Sequence, residues 1–151
     1  MGLAREAWDQ IFRILPFTHR KVSCSPYVMP NSYGCNEELN IDGESMNDWQ
    51  TGSSNVLFKI FMRFVFGIEP EHDCLIIQPA NWFPFEELRV DIKIRSCLLR
   101  LRYKNTGTGN RKFYINGRLF KGEYNKHIKT EYIKIPWNQL DMHTCDILAE
   151  D

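Results

Sequence analysis

The segment LRVDIKIR (residues 88–95) keeps a two-residue alternation without a break. Leu88, Val90, Ile92 and Ile94 fall on one side, and Arg89, Asp91, Lys93 and Arg95 on the other. Successive side chains of an extended chain point to opposite faces, so this period commits the segment to a strand with one dry face. LLRLRY (98–103) continues the pattern with Leu99, Leu101 and Tyr103 inward. CLIIQP (74–79), KFYING (112–117), EYIKIP (131–136) and CDIL (145–148) supply further short strands. Asn116-Gly117 is a strong hairpin signal, because both residues tolerate the positive φ of the tight primed turns, and TGTGN (106–110) reads as another turn. Short half-buried strands joined by tight turns predict an antiparallel β-sandwich.

Upstream the period lengthens to about 3.6 residues. Trp8, Ile11, Phe12 and Leu15 predict an amphipathic helix over 3–15, stopped by Pro16. A second helix is expected over 54–66, with Ser53, Ser54 or Asn55 as its N-cap, Gly67 as its stop and Pro70 just beyond. Apolar side chains cover nearly its whole circumference, and only Lys59 and Arg63 make a polar stripe. A helix apolar all round is expected to be buried. Two helices and a small sheet cannot enclose it, so the chain reads as lacking neighbours it was built to pack against. Residues 17–50 contain Pro26, Pro30, Gly34 and Gly43 and read as one long irregular connection, a length usual for functional loops. The reading is an α+β composite, helical over 1–69 and β-sandwich over 70–151.

A chain of 151 residues suits one modest domain or a piece of a larger protein. Its formal net charge of zero argues against nucleic acid or an anionic membrane as the main partner, since both select basic surfaces. Five scattered Cys without a CxxC pair suggest free thiols in a reducing compartment, and four scattered His without metal-ligand spacing suggest no metal. The N-terminus has no apolar signal core, and the longest apolar run is interrupted by Lys59 and Arg63. The expectation is a soluble cytoplasmic protein.

DWQTGSSN (48–55) carries the most chemistry. Thr51, Gly52, Ser53 and Ser54 stand where a helix begins, and unpaired amides with the positive end of the helix dipole favour an anion there. The same residues also suit a plain helix cap behind a turn. The pattern is not a Walker loop. Five acids, Glu37, Glu38, Asp42, Glu44 and Asp48, lie just before it. They suit either a solvated loop or the proton donor of glycoside chemistry. Trp49, Tyr27, Tyr33, Trp82 and Phe83 suit sugar stacking or simple packing.

Taken in order, four motifs resemble the C-terminal end of the cellobiose and chitobiose phosphorylases, glycoside hydrolase family 94, including the phosphorylase-like region of cyclic β-1,2-glucan synthases. LPFTH (15–19) is similar to the family's NPINH, and SPYVM (25–29) to its EPYV segment. DWQTGSSN is similar to its WxTGSAGW stretch. FGIEPEHDCLIIQPANWFPFEELRV (66–90) is similar to the LGIxPxxDGLxIxPxxPxxWxGF segment that joins the last barrel helix to the sandwich. The likeness runs from about residue 4 to residue 103.

The resemblance implies the last helices of an (α/α)6 barrel followed by a jelly-roll-like C-terminal sandwich. It implies inverting phosphorolysis of β-glucosides to a sugar 1-phosphate, with inorganic phosphate as co-substrate and no other cofactor. Carried over residue by residue, Thr51 and Gly52 bind phosphate, Asn31 assists, and Trp49 and Gln50 contact sugar. Gln50 stands where the family has Tyr, and Ser53-Ser54-Asn55-Val56 where it has SAGW. The family's general-acid Asp and its other phosphate ligands lie upstream of any segment matched here, so Glu37, Glu38 and Asp48 receive no acid role. The expected partners are a di- or oligosaccharide, phosphate and an N-terminal catalytic region, in cis or as a separate chain. The rival readings are a hydrolytic relative, a stand-alone carbohydrate-binding sandwich using Trp82, Trp137 and Tyr132, and a truncated product that does not fold stably.

Overall fold

The computed structural model describes residues 3–18, 28–41, 43–46, 52–105, 110–140 and 144–150. The fold is mixed α+β, with two α-helices and mostly antiparallel strands among the described residues. It divides into two compact units, one of Glu6–Ile60 and one of Phe61–Asp151 together with Met1–Arg5.

In the first unit, helix α1 (Ala4–Ile14, its first two residues belonging to the second unit) buries Trp8 and Ile11, as its period predicts. Trp8 and Phe12 pack with ring centroids 5.6 Å apart. Pro16 opens a 3-10 turn (Pro16–Thr18), and the Thr18 hydroxyl donates to the carbonyls of Phe12 and Leu15, both at 2.7 Å, closing the helix end. The long connection is less irregular than expected. β1 (Ser32–Tyr33) pairs antiparallel with β2 (Ser45–Met46), and the ladder extends through Asn31 N–H to Met46 O and Gly34 N–H to Glu44 O. At its tip Asn36 Oδ1 accepts from Leu39 N–H at 3.0 Å and Asn40 takes a φ of 57°, which Asn tolerates. Gly34 is obligatory, since a Cβ there would press into the Ile41 carbonyl. The Tyr33 hydroxyl donates to Ile14 O at 2.9 Å and fastens the hairpin to the end of α1.

Helix α2 (Ser53–Ile60) runs on into a π-helical turn (Phe61–Val65) closed by Phe66 N–H to Phe61 O at 2.8 Å. The expected burial of this helix is not what the fold shows. Only Leu57 and Val65 are buried, while Val56, Phe58 and Phe64 are 58%, 62% and 59% exposed. Among the described residues, two helices leave no layer to cover the remaining circumference.

The second unit holds two sheets. β3 (Ile68–Pro70), β4 (Cys74–Ile77), β9 (Glu123–Asn125) and β10 (Thr130–Pro136) form one in the order β3-β4-β10-β9. β5 (Glu87–Ile94), β6 (Cys97–Lys104), β7 (Lys112–Ile115), β8 (Arg118–Phe120) and β11 (Thr144–Glu150) form the other in the order β5-β6-β11-β7-β8. Each buries one face. Ile68, Leu75, Ile77, Ile133 and Ile135 fill it in the first, and Leu99, Leu101, Tyr103, Phe113, Ile147 and Ala149 in the second. Three ties join the sheets. Tyr103 donates to Phe66 O at 2.6 Å. Arg111 Nη1 donates to Pro79 O, Ala80 O and Thr130 Oγ1 at 3.1, 3.0 and 3.3 Å. Gly122 leaves room for the Phe113 ring.

The sheets are not wholly antiparallel. β11 runs parallel to β6 and antiparallel to β7. The chain leaves β10 in the other sheet, turns through Trp137–Gln139 and enters the gap between β6 and β7 from the end that makes it parallel to β6. Strand β5 keeps its alternation, but Leu88, Val90, Ile92 and Ile94 are only half-buried because β5 is an edge. The Asn116-Gly117 hairpin forms as predicted, with φ of 49° and 77°. Gly67 stops the helical segment at a φ of +66°, and its carbonyl accepts from Gln78 N–H at 2.7 Å.

Candidate functional site

Gly52 stands immediately before α2, exposed, and its carbonyl accepts from Asn55 N–H at 3.1 Å and Val56 N–H at 3.2 Å. Those bonds make Gly52 the N-cap, one to three residues before Ser53, Ser54 and Asn55, the caps expected. A Cβ added at Gly52 would meet nothing within 4 Å. Among the described residues no side chain crowds Gly52 at the helix start, where an anion is favoured in general.

Asn31 is exposed, and its N–H donates to Met46 O at 3.2 Å. The hairpin thus sets Asn31 beside Met46. The sequence contained no strand-length pattern for β1 and β2, so this juxtaposition could not be read from it. Thr51, Trp49 and Gln50 lie outside the described residues, as do Asp42 and Asp48. Of the other acids, Glu37 and Glu38 are exposed at the hairpin tip and Glu44 is half-buried.

The aromatic residues proposed for a stand-alone sugar-binding face are each engaged within the second unit. The Arg95 guanidinium lies 3.8 Å from the centroid of the Trp137 ring, whose N–H donates to Glu71 O at 3.0 Å. Tyr132 donates to Glu123 Oε2 at 2.6 Å. The Arg5 guanidinium lies 5.0 Å from the centroid of Trp82. Phe83 is buried.

Among the described residues, no group of three or more His, Cys, Asp or Glu side chains could hold a metal ion. Cys35, Cys74, Cys97 and Cys145 are free thiols. Burial pushes the Cys145 thiol up to about 11, so it stays protonated and inert at neutral pH. Among the described residues no helix is long and apolar enough to cross a membrane. No protein-family model matches the chain, and no curated protein matches it.

Proposed function

We propose that the chain is the C-terminal part of an inverting glycoside phosphorylase-like enzyme: the last helices of an (α/α)6 barrel followed by a jelly-roll-like sandwich. Thr51 and Gly52, with Asn31, form part of a phosphate site, and Trp49 and Gln50 face the sugar. The observation that carries this reading is the exposed apolar flank of α2 and its π-helical continuation, with Val56, Phe58 and Phe64 turned outward. An inner barrel helix has that composition, because neighbouring helices cover it on every side. The open helix start at Gly52 adds support.

The proton donor is supplied by the missing catalytic region, in cis or from a partner chain. Alone, the 151-residue chain turns over no substrate, since loss of a general acid removes about 10²–10⁴ in rate and loss of the remaining pocket removes more.

The deciding experiment captures the native protein from its own cells with an antibody to the sheet unit. It measures intact mass and phosphate-dependent release of sugar 1-phosphate. A product far heavier than 151 residues that forms sugar 1-phosphate, with activity lost in Thr51→Val, is expected. A product of 151 residues with no associated chain, and no thermal stabilisation by phosphate, overturns the reading.

A further inference from the structure

The outer face of the five-stranded sheet carries a row of side chains in continuous register. Arg89 on β5 pairs with Arg102 on β6, Arg102 with Leu148 on β11, Leu148 with Tyr114 on β7, and Tyr114 with Leu119 on β8. The flanking rows alternate in sign. One runs Asp91, Arg100, Asp146, and the other Glu87, Lys104, Glu150, Lys112. Only the middle row sets two cations side by side and then turns apolar and aromatic.

The two arginines are not equivalent. Arg89 is pinned by Glu87 through two parallel bonds of 2.9 Å. The Arg102 side chain makes no short ion pair or hydrogen bond among the described residues, and neither do those of Arg100 and Lys104 beside it on β6, although the charges of Lys104 and Arg102 reach Glu87. These three project from alternate positions of one strand into an open cavity of about 640 Å³, shared with Tyr114 and Leu148 and with two carboxylates, Asp146 and Glu150, at its borders. That volume is in the range of small-molecule sites.

We propose that this face binds an anionic sugar, a pyranose ring bearing a phosphate or carboxylate. The anionic group sits on Arg102 between Arg100 and Lys104, the charge-assisted geometry that planar guanidinium favours. The ring lies over Leu148 and Tyr114. Tyr114 is two strands from Arg102, about 10 Å at the usual interstrand spacing of ~4.8 Å, which matches a sugar ring plus its exocyclic anion. Asp146 accepts ring hydroxyls at the border. The acids in both flanking rows oppose a run of phosphates, and the face has one stacking aromatic in the row, so a nucleic acid strand is disfavoured. The proposal is independent of the phosphate site at Thr51 and lies on other elements.

The test is a titration of the isotopically labelled chain followed by amide chemical shifts, with glucose 6-phosphate, glucuronate, glucose, inorganic phosphate and an oligothymidylate as separate probes. The two anionic sugars are expected to shift amides around Arg102, Leu148 and Tyr114, and the stronger of them identifies the anion. Glucose and inorganic phosphate are expected to bind about tenfold or more weakly. Arg102→Gln is expected to weaken the anionic sugars by about tenfold, and Tyr114→Ala to weaken them while leaving inorganic phosphate unchanged. Absence of shifts on β6, β11 and β7 up to about 10 mM sugar overturns the proposal, as does inorganic phosphate or the oligothymidylate binding as tightly as the sugars.

Discussion

Arg111 is 8% exposed, and its guanidinium is held by the carbonyls of Pro79 and Ala80 and the hydroxyl of Thr130. A buried cation needs acceptors for its donors, and here those of Nη1 close one sheet on the other. Arg111→Ala leaves the Ala80 carbonyl short of a donor, while Pro79 O keeps its bond from the Thr130 hydroxyl at 3.1 Å, and it opens a void between the sheets, so a loss of about 2 kcal/mol is expected in urea unfolding. A loss below ~1 kcal/mol would deny the tie its role. At Gly67 the φ of +66° and the crowding of Gln78 and Pro79 against any Cβ predict that Gly67→Ala destabilises by more than about 1 kcal/mol. Alkaline stability follows from the thiol. Cys145 is raised from its ordinary 9.0 to about 11 by burial, and burial raises Cys97 as well. The folded state favours the protonated thiol, so this contribution is complete below pH 9 and is lost as pH rises from 9 to about 11. A urea midpoint that falls across that window in wild type, and falls less in Cys145→Ala, is the expected result. At this scale the sequence was uneven. Gly67 and the Asn116-Gly117 turn were legible because their φ values leave few residue choices. Arg111 was not, because nothing local marks a cation whose acceptors lie some 30 residues upstream in sequence.

The strands that were legible are those long enough to show a period. β5, β6, β10 and β11 each run seven or eight residues, and β4 and β7 sit within clear apolar patterns. β3, β8 and β9 have three residues each, too few for any alternation to register. The parallel pairing of β11 with β6 was also hidden, since period fixes which face a strand buries and leaves its direction open. The phosphate-site expectation rested on composition around Thr51 and Gly52, whereas the ladder that sets Asn31 beside Met46 left no trace in the sequence. α2 gives the sharpest element-scale prediction. Phe58 is 62% exposed, so Phe58→Ala in the isolated chain should change stability by about 0.5 kcal/mol or less. In a full-length enzyme with the barrel complete, the same change should cost about 3 kcal/mol or more. Equal small effects in both contexts would count against α2 as an inner barrel helix.

Across the whole molecule, local stability should follow the distribution of buried apolar surface. β6 and β11 each carry a row of nearly inaccessible side chains and are hydrogen-bonded on both sides, whereas the β1–β2 hairpin is two residues wide and mostly exposed. Hydrogen exchange should therefore be slowest at Leu99, Leu101 and Ile147 and fastest at the hairpin tip around Glu37–Asn40. Uniform protection in the two units would show that they unfold as one.

The position of β11 has a consequence for how the sheet comes into being on the ribosome. β5 with β6 and β7 with β8 emerge as two hairpins that share no ladder. Their inner edges, on β6 and β7, remain unpaired while the chain makes β9 and β10 for the other sheet, and only then does β11 enter between them. During synthesis this half of the sheet has two sticky edges and no closing strand, which makes the nascent chain a client for chaperones that shield strand edges.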